Sequence, residues 1–170
     1  MNKENYKIRL KRITTFIFDI DGVLTDGKLL ITNNGEMYRM MDSKDGFAIK
    51  YAIDSGYNIS IISGAINKDL DIRLKSLGVK NIYLGAHKKI EPYNELLKIH
   101  GVSSNEILYM GDDIPDIPVM KKVGVSTCPK DAVTDVKKIA NYISPKKGGF
   151  GCVREIIEQV LRVQNKWNFI

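Results

Sequence analysis

The sequence predicts an α/β protein built on a doubly wound, Rossmann-like parallel sheet. Short apolar runs alternate with segments of helical periodicity, and the connections between them are short. The 170 residues are 44% hydrophobic and 27% charged, which are ordinary values for one globular domain. We therefore expect a single domain over residues 1–170, with right-handed crossovers between its parallel strands.

The individual elements follow from the hydrophobic pattern in chain order. Apolar runs predict strands at residues 14–18, 57–62, 81–84, 106–110 and 124–127. Apolar residues at helical spacing predict helices at residues 46–54, 68–77, 89–99, 115–123 and 153–163. The last of these begins a C-terminal helix and tail over residues 153–170.

Residues 28–41 interrupt this alternation and predict a β-hairpin inserted after the first strand. Asn34 and Gly35 lie between two apolar runs, which is the strongest short-range signal for a hairpin turn. Both faces of the hairpin would be apolar, and an isolated two-stranded hairpin is marginally stable in water. We expect a subunit interface to cover it; the alternative is that the hairpin folds back onto its own domain.

Charge and composition argue against several classes of protein. The net charge of +6 is dispersed, without the aromatic residues that accompany single-strand binding, so we expect small anionic ligands and no nucleic acid. The first apolar run is interrupted by Asp19 and Asp21, so it fits neither a signal peptide nor a membrane span. Cys128 and Cys152 lack metal-site spacing, and free thiols indicate a cytoplasmic protein without a membrane partner.

Polar residues follow four successive predicted strands, at the edge of the sheet where parallel α/β folds bind ligands. Each of them alone has an ordinary explanation as a turn, a helix cap or a solvated charge. Together, and in this order, they predict a phosphoryl-transfer site. They are Asp19 and Asp21, then Ser63 and Gly64, then Lys89, and finally Asp112.

These residue types suit the hydrolysis of a phosphate monoester. Asp19 would attack phosphorus, and Asp21 would protonate the leaving alkoxide and later take a proton from water. Two unit charges about 4 Å apart repel by roughly 1 to 4 kcal/mol, so a dianionic ester needs cations beside Asp19. Mg²⁺ and the ammonium of Lys89 would provide them. The hydroxyl of Ser63 and the amides near Gly22 and Gly64 would donate to the phosphoryl oxygens.

The ordered motifs resemble those of the haloacid dehalogenase superfamily of aspartate-nucleophile phosphohydrolases. The resemblance rests on residues 19–23, Ser63, Lys89 and residues 111–113. It implies a core of the haloacid dehalogenase type and Mg²⁺ as cofactor. The implied metal ligands are the side chains of Asp19 and Asp112 and the backbone carbonyl of Asp21. Asp113 and Asp116 would contact these ligands and not the metal itself.

The gaps between the motifs leave no room for a cap domain. The interval from Asp21 to Ser63 holds the hairpin and one helix, and the interval from Ser63 to Lys89 holds one helix and one strand. From about residue 14 to 167 the chain resembles a capless, tetrameric subgroup that hydrolyses 8-phosphorylated 3-deoxy-2-ulosonic acids in lipopolysaccharide precursor synthesis. This resemblance implies a sugar acid phosphate as substrate, a homotetramer assembled by the hairpin, and a C-terminal segment close to a neighbouring active site.

By position, the resemblance also implies a set of substrate contacts. The phosphate would contact Asp21, Ser63, Gly64 and Lys89. The sugar acid would contact Asp42, Ser43, Lys44, Asp45, Gly46, Lys50 and Arg73. For Lys44, Lys50 and Arg73 the alternative is ordinary surface charge.

Two departures from the subgroup pattern leave a second substrate open. Many members have an arginine where this chain has Ala65, and a charged residue between the tail glycines where it has Phe150. A nine-carbon keto acid phosphate is therefore an alternative substrate. Two non-catalytic alternatives are a receiver domain, which the order of the motifs disfavours, and a regulatory relative that has lost activity.

Overall fold

The computed structural model describes residues 5–169, so residues 1–4 and 170 of the predicted domain and tail lie outside the described part. The strands are β1 (Thr15–Phe18), β2 (Leu30–Ile31), β3 (Met37–Tyr38), β4 (Asn58–Ile62), β5 (Asn81–Tyr83), β6 (Ile107–Met110), β7 (Val125–Cys128) and β8 (Tyr142–Ile143). The helices are α1 (Tyr6–Arg9), α2 (Ser43–Asp54), α3 (Lys68–Ser76), α4 (Ile90–His100), α5 (Ile117–Met120), α6 (Thr134–Ile139) and α7 (Cys152–Val163).

Six of these strands form one parallel sheet in the order β5-β4-β1-β6-β7-β8, and β2 and β3 form a separate antiparallel hairpin. β1 lies at the centre and is completely buried, which explains its continuous apolar sequence. Its last residue, Phe18, pairs with Ile61 of β4 and Met110 of β6. The residues that follow these three strands therefore meet at one edge of the sheet.

Helices cover both faces of the sheet and divide the core into two clusters. One cluster packs α2, α3 and α7 against β1 and β4, through residues such as Ile49, Leu74 and Ile157. The other packs α4, α5 and α6 against the opposite face, through residues such as Leu96 and Val136. This arrangement confirms the predicted doubly wound α/β fold without a cap.

Most predicted elements are present with shifted ends, and three short ones were missed. α2 begins at Ser43, earlier than predicted, because the side chain of Asp42 accepts a hydrogen bond from the amide of Lys44. The predicted helix 115–123 is a 3₁₀ turn, Ile114–Asp116, followed by the short α5. The elements that the pattern did not reveal are α1, α6 and β8, none longer than six residues.

The hairpin of β2 and β3 leaves its apolar side chains exposed. Leu30 is 68% exposed, Ile31 67% and Met40 84%, so the described chain itself does not cover these side chains. A turn at Gly35, with φ of 79°, connects its strands as the sequence predicts. That a second copy of the chain covers these side chains stays a prediction. Among residues 5–169, no helix combines the length and hydrophobicity needed to cross a bilayer.

Candidate active site

The predicted strand-end residues surround one cavity of about 330 Å³. Asp19 follows β1, Ser63 follows β4, and Asp112 follows β6, while Lys89 directly precedes α4. Asp21, Gly22, Gly64, Asp113 and Asp116 also line the cavity. The structure therefore brings together the residues predicted for the phosphate and the metal.

Asp19 is buried and its carboxylate is oriented from two sides. Its Oδ1 accepts a hydrogen bond from the amide of Ile20 at 2.7 Å, and its Oδ2 lies 2.7 Å from Nζ of Lys89. Burial raises the pKa of Asp19 to about 6; the charge of Asp116 adds to this, and Lys89 opposes it. The carboxylate of Asp19 is therefore held in one orientation beside Lys89.

Lys89 forms a buried bridge between two carboxylates. Its Nζ lies 2.7 Å from Asp19 Oδ2 and 2.7 Å from Asp116 Oδ1, and the residue is 5% exposed. Burial alone would lower the pKa of Lys89, but the charges of Asp19 and Asp116 outweigh it and raise the pKa. The side chain is therefore a fixed ammonium beside Asp19.

Asp116 uses its whole carboxylate to hold the loop after β6. Oδ1 accepts from Lys89 at 2.7 Å and from the hydroxyl of Tyr109 at 2.6 Å, and Oδ2 accepts from the amides of Asp112 and Asp113 at 2.9 and 3.2 Å. A carboxylate has about four acceptor positions, so none remains for another ligand. Asp116 therefore orients Lys89 and the backbone of Asp112.

Asp112 has the chemistry of a metal ligand. Its buried Oδ1 has no hydrogen-bond partner, and carboxylate oxygens of Asp19, Asp112 and Asp116 lie within 4.8 Å of one another. Burial, then the charges of Asp19 and Asp116, raise the pKa of Asp112 to about 8. An unpaired buried carboxylate oxygen is costly unless a cation binds it. Because Asp116 is saturated, Asp19 and Asp112 are the side chains that fit Mg²⁺.

The turn after Asp19 presents the second aspartate to the same cavity. Gly22, with φ of 82°, allows this turn to approach Asp112, because a Cβ at Gly22 would lie 2.0 Å from Asp112 Oδ2. The carboxylate of Asp21 is gripped by Arg39, whose Nε and Nη2 donate to its two oxygens at 2.7 and 2.9 Å. Asp21 is therefore fixed by a residue from the hairpin.

Ser63 is buried directly after β4 and lines the cavity. Its Oγ accepts a hydrogen bond from the amide of Ala65 at 3.2 Å, so the hydroxyl hydrogen is available to another acceptor. Ala65, Ala86 and His87 line the same side of the cavity. With alanine at 65, this wall carries no guanidinium.

A loop before α7 packs tightly against residues 22–26, which follow β1 and are called the catalytic turn below. A Cβ at Gly148 would lie 1.9 Å from the carbonyl oxygen of Gly22, and the amide of Gly149 donates to the carbonyl of Val23 at 2.9 Å. Gly148 is itself tied to Asp131, whose Oδ1 accepts from its amide at 3.0 Å. The shape of the turn that carries Asp21 thus depends on two glycines near the other end of the chain.

Several predicted sugar contacts lie outside the cavity. Asp42 caps α2, and Lys50 forms an exposed ion pair with Asp54 at 2.5 Å. Ser43 and Lys44 are exposed in the first turn of α2. Arg73 lines a separate cavity of about 290 Å³ between the hairpin and α3. Within one protomer, the structure does not bring these residues to Asp19.

Asp45 and Gly46 are interior packing positions within one protomer. Asp45 is 1% exposed, and its Oδ1 accepts a hydrogen bond from the amide of Arg154 in the first turn of α7 at 2.7 Å. Burial raises the pKa of Asp45 to about 6. A Cβ at Gly46 would lie 2.9 Å from Nη2 of Arg73. Asp45 therefore joins α2 to α7 and does not line the cavity at Asp19.

Sequence reasoning missed two polar contacts of the site. Arg39 was counted with the apolar hairpin, although a lone arginine between Tyr38 and Met40 is a signal for a specific partner. Tyr109 lies in the buried strand β6, where a hydroxyl needs a hydrogen-bond partner. That partner is Asp116.

Comparisons with known proteins agree with this geometry. A family model described as haloacid dehalogenase-like hydrolase matches residues 62–156. The 3-deoxy-D-manno-octulosonate 8-phosphate phosphatase KdsC of Escherichia coli K12 is 35% identical over 158 residues, which cover 93% of this chain and 84% of that protein. The KdsC protein of Yersinia pestis is 36% identical over the same shares.

Solved structures show the same fold. The crystal structure of the Yersinia pestis phosphatase has a TM-score of 0.95 and 34% identity, covering 98% of this chain and 90% of that one. The Moraxella catarrhalis phosphatase, in complex with a magnesium ion, a phosphate ion and a KDO molecule, has a TM-score of 0.92 and 30% identity, covering 95% and 93%. This chain belongs to the haloacid dehalogenase-like hydrolase family.

Proposed function

We propose that this protein is a Mg²⁺-dependent phosphatase that converts 3-deoxy-D-manno-octulosonate 8-phosphate to 3-deoxy-D-manno-octulosonate and phosphate. The observation that carries the proposal is the buried Asp19 held by Lys89, beside the unpartnered oxygen of Asp112. One cavity is lined by a nucleophile, a fixed ammonium and a carboxylate with an unpaired oxygen, as phosphoryl transfer requires. The named phosphatases supply the choice of substrate.

In the first step, an oxygen of Asp19 attacks phosphorus and the bond from phosphorus to the sugar oxygen breaks. Asp21 gives its proton to that leaving oxygen, so the sugar departs as an alcohol. Lys89 and the hydroxyl of Ser63 hold the phosphoryl oxygens while charge develops. The product on the enzyme is an aspartyl-phosphate at Asp19.

In the second step, Asp21 takes a proton from a water molecule that attacks phosphorus. The bond to Asp19 breaks, phosphate leaves, and the Asp19 carboxylate is restored. The side chains of Asp19 and Asp112, with the backbone carbonyl of Asp21, would hold Mg²⁺. When bound, this ion neutralises negative charge on the phosphoryl group and positions it for attack.

Phosphate release should depend on both the divalent cation and the sugar acid. We expect 3-deoxy-D-manno-octulosonate 8-phosphate with Mg²⁺ to have the highest kcat/KM in a panel of esters, and EDTA to abolish turnover until Mg²⁺ is restored. The panel includes a nine-carbon keto-deoxy acid 9-phosphate and glucose 6-phosphate. A higher kcat/KM for the nine-carbon ester would replace the substrate assignment. No release from any ester would favour a regulatory, non-catalytic relative.

We further propose that the active protein is a homotetramer held together by the hairpin. The support is the row of exposed apolar side chains on β2 and β3, which exceeds what scattered surface residues explain. Sedimentation velocity is expected to give the mass of four chains, and the double substitution Leu30→Asp, Ile31→Asp to give smaller species. A monodisperse wild-type monomer at micromolar concentration contradicts this assembly.

We also propose that the reaction belongs to lipopolysaccharide precursor synthesis and takes place in the cytoplasm. Both cysteines, Cys128 and Cys152, are free and buried, which suits a reducing compartment. The receiver alternative is not retained, because the matched proteins are hydrolases and Asp19 and Asp21 share one strand end.

A further inference from the structure

Arg39 contacts the proposed catalytic residue Asp21, and the reaction above does not use this contact. Its Nε donates to Oδ1 of Asp21 at 2.7 Å, and its Nη2 donates to Oδ2 at 2.9 Å. This two-pronged contact fixes the plane of a carboxylate, which a single ammonium does not do. The Arg39 side chain is 5% exposed, in a hairpin that is otherwise largely exposed.

Stability alone explains this contact poorly. The Arg39 side chain is buried and that of Asp21 is 33% exposed, and the desolvation of such a pair offsets much of the attraction between its charges. The second hairpin strand also has another anchor, since Nδ2 of Asn67 donates to the carbonyl of Met37 at 3.3 Å. What the Arg39 contact adds is a defined orientation of Asp21.

Resting on the proposed function, we propose that Arg39 is a positioning residue that orients Asp21 for proton transfer to the leaving oxygen. Asp21 lines the cavity and Arg39 does not, so the guanidinium grips the carboxylate from outside the cavity wall. The grip uses two of about four acceptor positions on Asp21. Thr25 Oγ1 donates to Oδ1 over a longer 3.4 Å. Because Asp21 lines the cavity, its carboxyl group remains accessible to the ester oxygen during the reaction.

The proposal has a consequence for the hairpin. Arg39 follows β3, and its Nη1 also donates to the carbonyl of Met37 at 3.3 Å. A displacement of β3 therefore moves the guanidinium and, with it, the carboxylate of Asp21. The side chain of Arg39 therefore connects the exposed apolar hairpin to Asp21, the residue that transfers the proton.

The test compares two esters that differ in their need for a proton. An alkyl phosphate, 3-deoxy-D-manno-octulosonate 8-phosphate, must be protonated as it leaves, whereas the leaving group of 4-nitrophenyl phosphate departs as a stable anion. We expect Arg39→Met to lower kcat/KM for the alkyl ester about 100-fold and for the nitrophenyl ester less than about threefold, because kcat/KM reports formation of the aspartyl-phosphate, the step in which only the alkyl ester needs general acid catalysis. Arg39→Lys, which keeps the charge without the fork, should lie between Arg39→Met and wild type on the alkyl ester.

The control is Asn67→Ser, which removes the other hairpin anchor and keeps a side chain able to cap α3. It should change both esters equally and by little. Equal loss on both esters in Arg39→Met, or no loss on the alkyl ester, overturns the positioning role while wild-type turnover leaves the proposed function intact. If Arg39→Met does not fold by circular dichroism, Arg39→Lys gives the same comparison. Wild-type protein that hydrolyses neither ester refutes the proposed function and this role together.

Discussion

Asp19→Asn is expected to lower kcat for phosphate ester hydrolysis by about 10⁴-fold or more, because an amide cannot form the aspartyl-phosphate. The substitution keeps the shape of the side chain and removes a negative charge from a crowded site. Since burial and Asp116 both disfavour the ionised form of Asp19, we expect the thermal midpoint to stay the same or rise. Loss of activity would then be separated from loss of the fold.

Phosphate release with Mg²⁺ and a thermal melt measure these two effects. Asp71→Asn is the matched control, because Asp71 is on α3 and forms a surface ion pair with Lys75 at 2.7 Å. It should retain wild-type turnover. Turnover by Asp19→Asn within tenfold of wild type on any ester would falsify the covalent mechanism.

Gly148→Ala is expected to destabilise the protein by about 3 kcal/mol and to reduce turnover in whatever remains folded, since overpacking against backbone is poorly relieved. The new methyl group would lie 1.9 Å from the carbonyl oxygen of Gly22, and 2.9 Å from that of Thr25. Neither atom is the flexible end of a side chain. The catalytic turn or the loop must move, and movement of the turn displaces Asp21.

Gly56→Ala isolates the contribution of backbone strain. Gly56 has φ of 88°, and a Cβ at this position would have no heavy atom within 4 Å beyond its chain neighbours, so only the left-handed conformation is penalised. We expect a loss of about 1 kcal/mol with kcat unchanged. Urea unfolding and phosphate release compare the two variants. If Gly148→Ala is as stable and as active as Gly56→Ala, the catalytic turn can move to accommodate the methyl group without loss of stability or turnover, which contradicts this prediction.

The sheet could be predicted from the sequence because its central strands are buried on both faces and consist of continuous apolar residues. The grouping of polar residues around one cavity could be predicted because strand-end residues of a parallel sheet must meet at one edge. The short elements α6 and β8 have too few residues to show a period. The Arg39–Asp21 pair joins the hairpin to the turn after β1. A lone arginine in an apolar hairpin indicates a partner, but no local pattern identifies which residue it is.

The interior position of Asp45 could have been predicted from the sequence. It precedes Ile49 by four residues and Ala52 by seven, so it falls on the apolar stripe of α2 that packs against α7. An acidic residue on such a stripe indicates an interior partner, which is the amide of Arg154. Assignment by motif position gave it to the substrate, whereas assignment by helix face would have given it to the core.

The packing of Gly148 and Gly149 on the catalytic turn also orders events during synthesis. A chain leaves the ribosome from its N-terminus, so β1 and Asp19 are exposed to solvent before the residues that brace them exist. Fragments that end before Gly148 lack the surface against which residues 22–26 pack. Chains that end before Gly148 should therefore be catalytically silent, so phosphatase activity reports translation beyond that residue.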